Sequence, residues 1–256
     1  TGPLGQGLAM AVGMAIAERH LNAAYDDSLV DHRTWVVAGD GCLMEGINHE
    51  AIGLAGHLGL DRLVVLWDDN RITIDGGTEL STSEDIPARY RATGWHVVEC
   101  DGHDAASIRS ALRAAVEETV KPTLVRCRTV IGMGAPNKAG THKVHGSPLG
   151  KDEIAAARVA LDWQWPAFVI PDTVKAAWED IGRASATRHA EWRARLAAHD
   201  ARSTFLANMA GAVNADEALE AAISGFEGRF SSLATRKSSE LALEGLTQRY
   251  PALVGG

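Results

Sequence analysis

The sequence predicts an α/β fold, a parallel sheet with helices on both faces, extended at its carboxyl end by further helices. Three observations carry that reading. Short continuous apolar runs alternate with amphipathic segments of helix length. Two of the runs end in Gly39-Asp40-Gly41 and Asp68-Asp69-Asn70, and strands joined by one crossover helix bring such ends to the same edge of a sheet, where open α/β folds bind ligands. Beyond residue 150 the strand-like runs give way to helical periodicity alone.

Taken in order, residues 5 to 24 place Leu8, Val12, Ala15, Ile16 and Leu21 at helical spacing behind a glycine-rich turn. Trp35 to Ala38 and Leu63 to Trp67 read as fully buried strands. Between them, Glu45 to Leu58 carries an apolar stripe of crossover length, with Gly59 as its stop. The alternation continues with a helix at Glu84 to Ala92, a strand at His96 to Glu99, a helix at Ala105 to Thr119 and a strand at Thr123 to Val130. Seven glycines and prolines between residues 132 and 150 then predict a long functional loop over the carboxyl edge of the sheet. Lys151 to Leu161 and Asp172 to His199 read as helices, the second with Trp178, Ile181, Trp192 and Leu196 on its apolar stripe, and Thr235 to Gly256 has a last helical pattern.

Composition narrows the function. Apolar residues make up 46% and charged residues 23% of 256, an ordinary globular balance. A net charge of −8 with no like-charged block argues against a nucleic-acid binder. No apolar run is long enough to span a bilayer, and no secretory leader is visible, so neither a membrane nor a secreted role is expected. Cys42, Cys100 and Cys127 form an odd set without a CxxC pair, which fits reduced thiols in a cytoplasmic protein.

The chemistry concentrates at the two strand ends. Magnesium takes oxygen ligands and is commonly held by only one or two carboxylates while phosphate and water complete its shell, which suits Asp40 and the Asn70 amide. Gly41, lacking a side chain, lets a phosphate oxygen approach the main chain. The tripeptide alone also fits a tight turn whose aspartate caps the next helix. A dinucleotide or P-loop site is disfavoured, since neither GxGxxG nor the P-loop lysine with its serine or threonine occurs at the required spacing.

Four ordered segments go further: residues 1 to 7 (TGPLGQG), 39 to 46 (GDGCLMEG), 68 to 76 (DDNRITIDG) and 136 to 146 (PNKAGTHKVHG) resemble the transketolase family. The resemblance implies a thiamine diphosphate-binding fold and a magnesium ion, replaceable by calcium or manganese, held by Asp40, the Asn70 side chain and the Ile72 carbonyl. It implies cofactor contacts from Gly2, Pro3, Leu4, Gly41, Asn70 and His145, with His145 and Glu45 in catalytic roles and both Glu45 and Glu50 near the dimer contact and the path between cofactors. For Glu45 and Glu50 an ordinary acid at a helix amino end is the plain alternative, and for His145 an exposed loop histidine.

What the resemblance implies for activity is transfer of a two-carbon ketol unit from a ketose phosphate to an aldose phosphate in the pentose phosphate pathway, by a homodimer with its active sites between subunits. Three parts are expected: residues 1–150 as the diphosphate- and metal-binding domain, 151–234 as a helical extension, and 235–256 as the start of a pyrimidine-binding domain. The ends read as those of an excerpt from a longer chain, inactive alone. A dihydroxyacetone synthase-like enzyme and a non-catalytic relative are the alternatives. Exposed apolar surface is expected around the helices that follow Gly5 and Glu45.

Overall fold

The computed structural model describes residues 2–211, 213–226 and 232–255. Thr1 and Gly256, each part of a segment read above, lie outside the described residues. In chain order the elements are α1 (Gln6–Leu29), β1 (Thr34–Gly39), α2 (Asp40–Met44), α3 (Gly46–Leu58), β2 (Leu63–Asp69), a hairpin of β3 (Ile72–Thr73) and β4 (Gly76–Gly77), α4 (Ile86–Ala92), β5 (His96–Asp101), α5 (Ala105–Glu117) and β6 (Thr123–Arg128). Helices α6 (Lys151–Ala160), α7 (Asp172–Ala198), α8 (Arg202–Met209), α9 (Ala215–Ser224) and α10 (Thr235–Arg249) follow. Two compact units divide between Arg188 and His189.

In the first unit, four strands form one parallel sheet in the order β1-β2-β6-β5. Alternation along the strands sends neighbouring residues to two separate cores. Leu63, Val65 and Trp67 of β2 and Leu124 of β6 join residues of α1, α3 and α4 in one core, whereas Val64 and Val125 join Ala111 and Ala115 of α5 in the other. The sheet is therefore covered on both faces.

Local chemistry sets the ends of these elements. Asp104 caps α5 by accepting from the amides of Ala106 and Ser107, and Asp85 caps α4 by accepting from Ala88. The Asp85 cap, with Pro87 in the first turn, moves the start of α4 to Ile86 from the expected Glu84. Gly59 ends α3 as expected.

Three expectations are corrected. β1 is not fully buried: Trp35 is 44% and Val37 72% exposed, because β1 is an edge strand and α5, on the face these residues share with Val64 and Leu66, lies over β5 and β6 rather than over β1. The crossover between β1 and β2 is two helices, with Glu45 in extended conformation separating α2 from α3. The apolar stripe of α7 is also incompletely covered, since Trp178 and Ile181 are exposed. In the second unit, α9 and α10 pack closely enough that main chains touch, and a Cβ on Gly245 would lie 1.9 Å from the Ala221 carbonyl oxygen.

Candidate metal and diphosphate site

Gly39, the last residue of β1, is the register partner of Asp68 in β2, so both strand ends reach one edge together. Asp40 opens α2 immediately afterwards and is 5% exposed. Its Oδ1 accepts from the Trp67 indole Nε1–H at 3.0 Å and its Oδ2 from the Arg71 main-chain N–H at 3.0 Å. Arg71 has a left-handed φ of 60°, uncommon for a residue with a side chain. That turn folds the chain back on itself: the Asn70 Oδ1 accepts from the Ile72 N–H at 2.9 Å, and the Arg71 carbonyl accepts from the Thr78 N–H at 3.0 Å. Asn70 also donates from Nδ2 to Asp68 at 3.2 Å, and Asp68 accepts from the Thr129 hydroxyl.

The electrostatics are those of a site short of positive charge. Burial pushes the Asp40 carboxyl up to about 6, with Asp69 and Asp68 adding to the rise and the Trp67 and Arg71 hydrogen bonds opposing it. Asp69, 2% exposed, is already neutralised, with Arg126 Nε and Arg128 Nη1 each 2.5 Å from its Oδ2. The Arg126 guanidinium also lies 5.3 Å from the centre of the Trp67 ring. A cavity of about 260 Å³ opens beside Asp40, lined by Met44, Trp67, Arg71, Glu79 and Glu84 among others.

These donors fit a hard divalent cation. Asp40 offers a carboxylate, Asn70 an amide oxygen with a second lone pair, and Ile72 lies next in the same turn with its carbonyl. Among the described residues no group of three or more histidine, cysteine, aspartate or glutamate side chains is placed to hold a metal.

Leu4 sits over Gly41, where an added Cβ would lie 3.1 Å from Leu4 Cδ1, so the missing side chain leaves the Gly41 main chain approachable. Gly5, at φ 77°, packs so tightly that a Cβ there would be 2.8 Å from both Glu45 Cβ and Ile47 Cγ2. The entry turn therefore carries exposed Gly2, Pro3 and Leu4 against the junction of α2 and α3. Glu45 is exposed at that junction, its carbonyl accepting from the Asn48 N–H at 3.0 Å, and Glu50 is exposed on α3.

His145 follows a single turn at His142–Val144 in the loop that leaves β6. It is half-buried, and its Nδ1 atom is buried without a hydrogen-bond partner among the described residues. The loop is tied down around it: Glu153 of α6 accepts from the Asn137 N–H at 2.8 Å and Nδ2 at 2.9 Å, and Lys138 Nζ donates to the Leu149 carbonyl at 2.7 Å. The structure thus sets Asp40 against the Asn70–Ile72 turn through the Arg71 N–H, and brings together Leu4 with Gly41 and Gly5 with Glu45. No hydrogen bond joins His145 to Asp40, Gly41 or Asn70 among the described residues.

Sequence reading passed over Trp67, Arg71 and Arg126. A signal existed for two of them. An indole at the end of a buried strand needs an acceptor, and Arg126 and Arg128 in an otherwise apolar strand need carboxylates.

Known proteins share this sequence and fold. Residues 1–217 match the family described as "Transketolase, thiamine diphosphate binding domain". A transketolase of Cereibacter sphaeroides is 54% identical over 260 residues, covering all of this chain and 39% of that protein, and one of Rhodobacter capsulatus is 51% identical over 262 residues, covering all of this chain and 38% of that protein. The solved transketolase of Leishmania mexicana superposes with a TM-score of 0.86 at 40% identity, over all of this chain and 39% of that one. The Campylobacter jejuni transketolase does so with a TM-score of 0.84 at 33% identity, over 97% of this chain and 38% of that one. The chain thus spans about two fifths of the length of these relatives. By sequence and by fold, it belongs to the family of transketolase thiamine diphosphate-binding domains.

Proposed function

We propose that this chain anchors thiamine diphosphate through magnesium in a transketolase that moves a two-carbon ketol unit from a ketose phosphate to an aldose phosphate. The observation that carries the reading is the buried Asp40 carboxylate, fixed from two sides by Trp67 and Arg71 and facing a turn that offers the Asn70 and Ile72 oxygens. When bound, the cofactor supplies the carbanion that cleaves the ketose carbon–carbon bond and carries the two-carbon unit.

The residues of the chain do the rest. Asp40, Asn70 and Ile72 hold the cation, with calcium or manganese able to replace magnesium, and the cation neutralises the diphosphate. Gly41 admits the diphosphate to the main chain, and Gly2, Pro3 and Leu4 border the aminopyrimidine side. His145, with its unpartnered Nδ1, contacts diphosphate and sugar and moves a proton at or steadies developing negative charge on the reacting oxygen. Glu45, exposed beside the Gly5 turn, takes its catalytic role near the contact between subunits and the path between cofactors.

The apolar side chains of Met10 and Met14 on α1 and Ile47 and Leu54 on α3 are exposed, which supports a homodimer that buries them. Residues 1–150 form the anchoring domain, 151–234 the extension, and 235–256 the beginning of the pyrimidine-binding domain. The setting is the pentose phosphate pathway of the cytoplasm, and the chain alone is inactive. No helix among the described residues is long and apolar enough to cross a membrane.

The test is a ketol-transfer assay on the protein from its natural reading frame, with a ketose phosphate donor, an aldose phosphate acceptor, thiamine diphosphate and magnesium. Transfer that disappears in Asp40→Ala supports the assignment. A folded protein that binds the cofactor yet transfers nothing from any sugar phosphate contradicts it.

A further inference from the structure

Cys100 in β5 and Cys127 in β6 are register partners across a parallel ladder, so their side chains leave the same face of the sheet. Both are free thiols, and the Cys100 S–H donates to the Cys127 sulfur at 3.6 Å. Neighbouring strands run about 4.8 Å apart, within the range that disulfides bridge, and closure from this separation asks the sulfurs to approach by about 1.5 Å.

Access is asymmetric. A cavity of about 620 Å³ at the carboxyl ends of β5 and β6 is lined by Cys100, Asp101, His103, Ser107, Arg128 and Thr129. Cys100 reaches this cavity although it is only 6% exposed, whereas Cys127 is half-buried, does not line the cavity and donates to the Val125 carbonyl at 3.8 Å. Burial pushes the Cys127 thiol up to about 12, and the neighbouring Cys100 reinforces the shift, so Cys127 keeps its proton at neutral pH. Cys42 stands apart in α2 and packs against the other core.

We propose that Cys100 and Cys127 form an oxidisable pair, converted to an intramolecular disulfide by hydrogen peroxide that enters this cavity. The Cys100 sulfur attacks one peroxide oxygen as its proton leaves it. The O–O bond breaks, Cys100 becomes a sulfenic acid, and the released hydroxide takes up the Cys100 proton as a first water. The Cys127 sulfur then attacks the sulfenic sulfur, the S–S bond forms as the S–O bond breaks, and the departing hydroxide leaves with the Cys127 proton as a second water. Two electrons pass from the two sulfurs to the peroxide. The new bond ties β5 to β6 at the level of Asp68, the register partner of Cys127 on β2 and the acceptor of the Asn70 amide.

The test is peptide mapping by mass spectrometry of the folded protein from its natural reading frame, treated with hydrogen peroxide and alkylated after denaturation. The expected product is one cross-linked pair of peptides joining Cys100 to Cys127, lighter than their sum by two hydrogens and separated again by dithiothreitol, with Cys42 still alkylated. Cys127→Ser should instead accumulate a sulfenic acid at Cys100, trapped by dimedone. Full alkylation of both Cys100 and Cys127, under peroxide exposure that oxidises a free cysteine peptide, overturns the proposal. So does linkage of either residue to Cys42, the mixture expected when the chain is oxidised in urea.

Discussion

The Trp67 indole donates to the Asp40 carboxylate at 3.0 Å, tying β2 to the first residue of α2. Trp67 pairs in register with Ala38, two residues before Asp40, so the sheet itself sets the reach of this bond. Removing the donor leaves one oxygen of a buried carboxylate without its side-chain partner. Trp67→Phe should cost about 2 kcal/mol of stability, as expected for a bond to a charged group, and should weaken magnesium-dependent cofactor binding. Urea denaturation and calorimetry measure the two effects, and an unchanged affinity would show that the indole does not orient Asp40.

Asp69 holds two arginines at 2.5 Å while almost wholly buried. Truncating it leaves both guanidinium groups without their shared carboxylate. Asp69→Ala should destabilise the fold by about 3 kcal/mol, the scale for breaking a buried pair from one side. Chemical denaturation should show this as an earlier midpoint.

Gly41 separates folding from binding. A Cβ at this position meets only the end of the Leu4 side chain, at 3.1 Å, and Leu4 is exposed and free to yield. Gly41→Ala should therefore change stability by less than about 1 kcal/mol, yet weaken thiamine diphosphate binding at least about tenfold, which corresponds to about 1.4 kcal/mol. Equal affinities for the two proteins would remove Gly41 from the diphosphate contact.

Two carboxyl groups give opposite pH signatures. Asp40 is raised to about 6 from its ordinary 3.8, so between those values the folded state keeps a proton that the unfolded state has released. Its contribution to the stability of the ligand-free protein accordingly falls as pH rises through that window. Glu153 is held below its ordinary 4.5 by the Asn137 hydrogen bonds, so its contribution is present above that value and lost as pH falls beneath it. Denaturation of Asp40→Asn and Glu153→Gln across pH 3 to 7, an interval of about one unit beyond each value, should remove the two trends separately.

Most of the sheet was legible because its strands are short apolar runs separated by turn and cap residues, and the site because both acidic strand ends are contiguous in sequence. What stayed hidden depends on tertiary placement. The exposure of Trp35 and Val37 follows from β1 being an edge strand, which its apolar composition cannot reveal. The bonds from Trp67 and from the Arg71 amide to Asp40 bridge 27 and 31 residues. The β3–β4 hairpin has two residues per strand, too few to show alternation, and it is entered through the left-handed Arg71, a conformation that arginine does not advertise. His145 was found through resemblance, since a loop histidine has no periodicity to mark it.

The central claim is that Asp40, with Asn70 and Ile72, holds a magnesium ion that anchors thiamine diphosphate. Calorimetric titration of the cofactor into the protein from its natural reading frame, with and without magnesium and with Asp40→Ala alongside, tests it most directly. The account predicts binding that requires magnesium and is lost in Asp40→Ala while the variant remains folded by circular dichroism. Equal binding by the two proteins, or binding indifferent to magnesium, would contradict it.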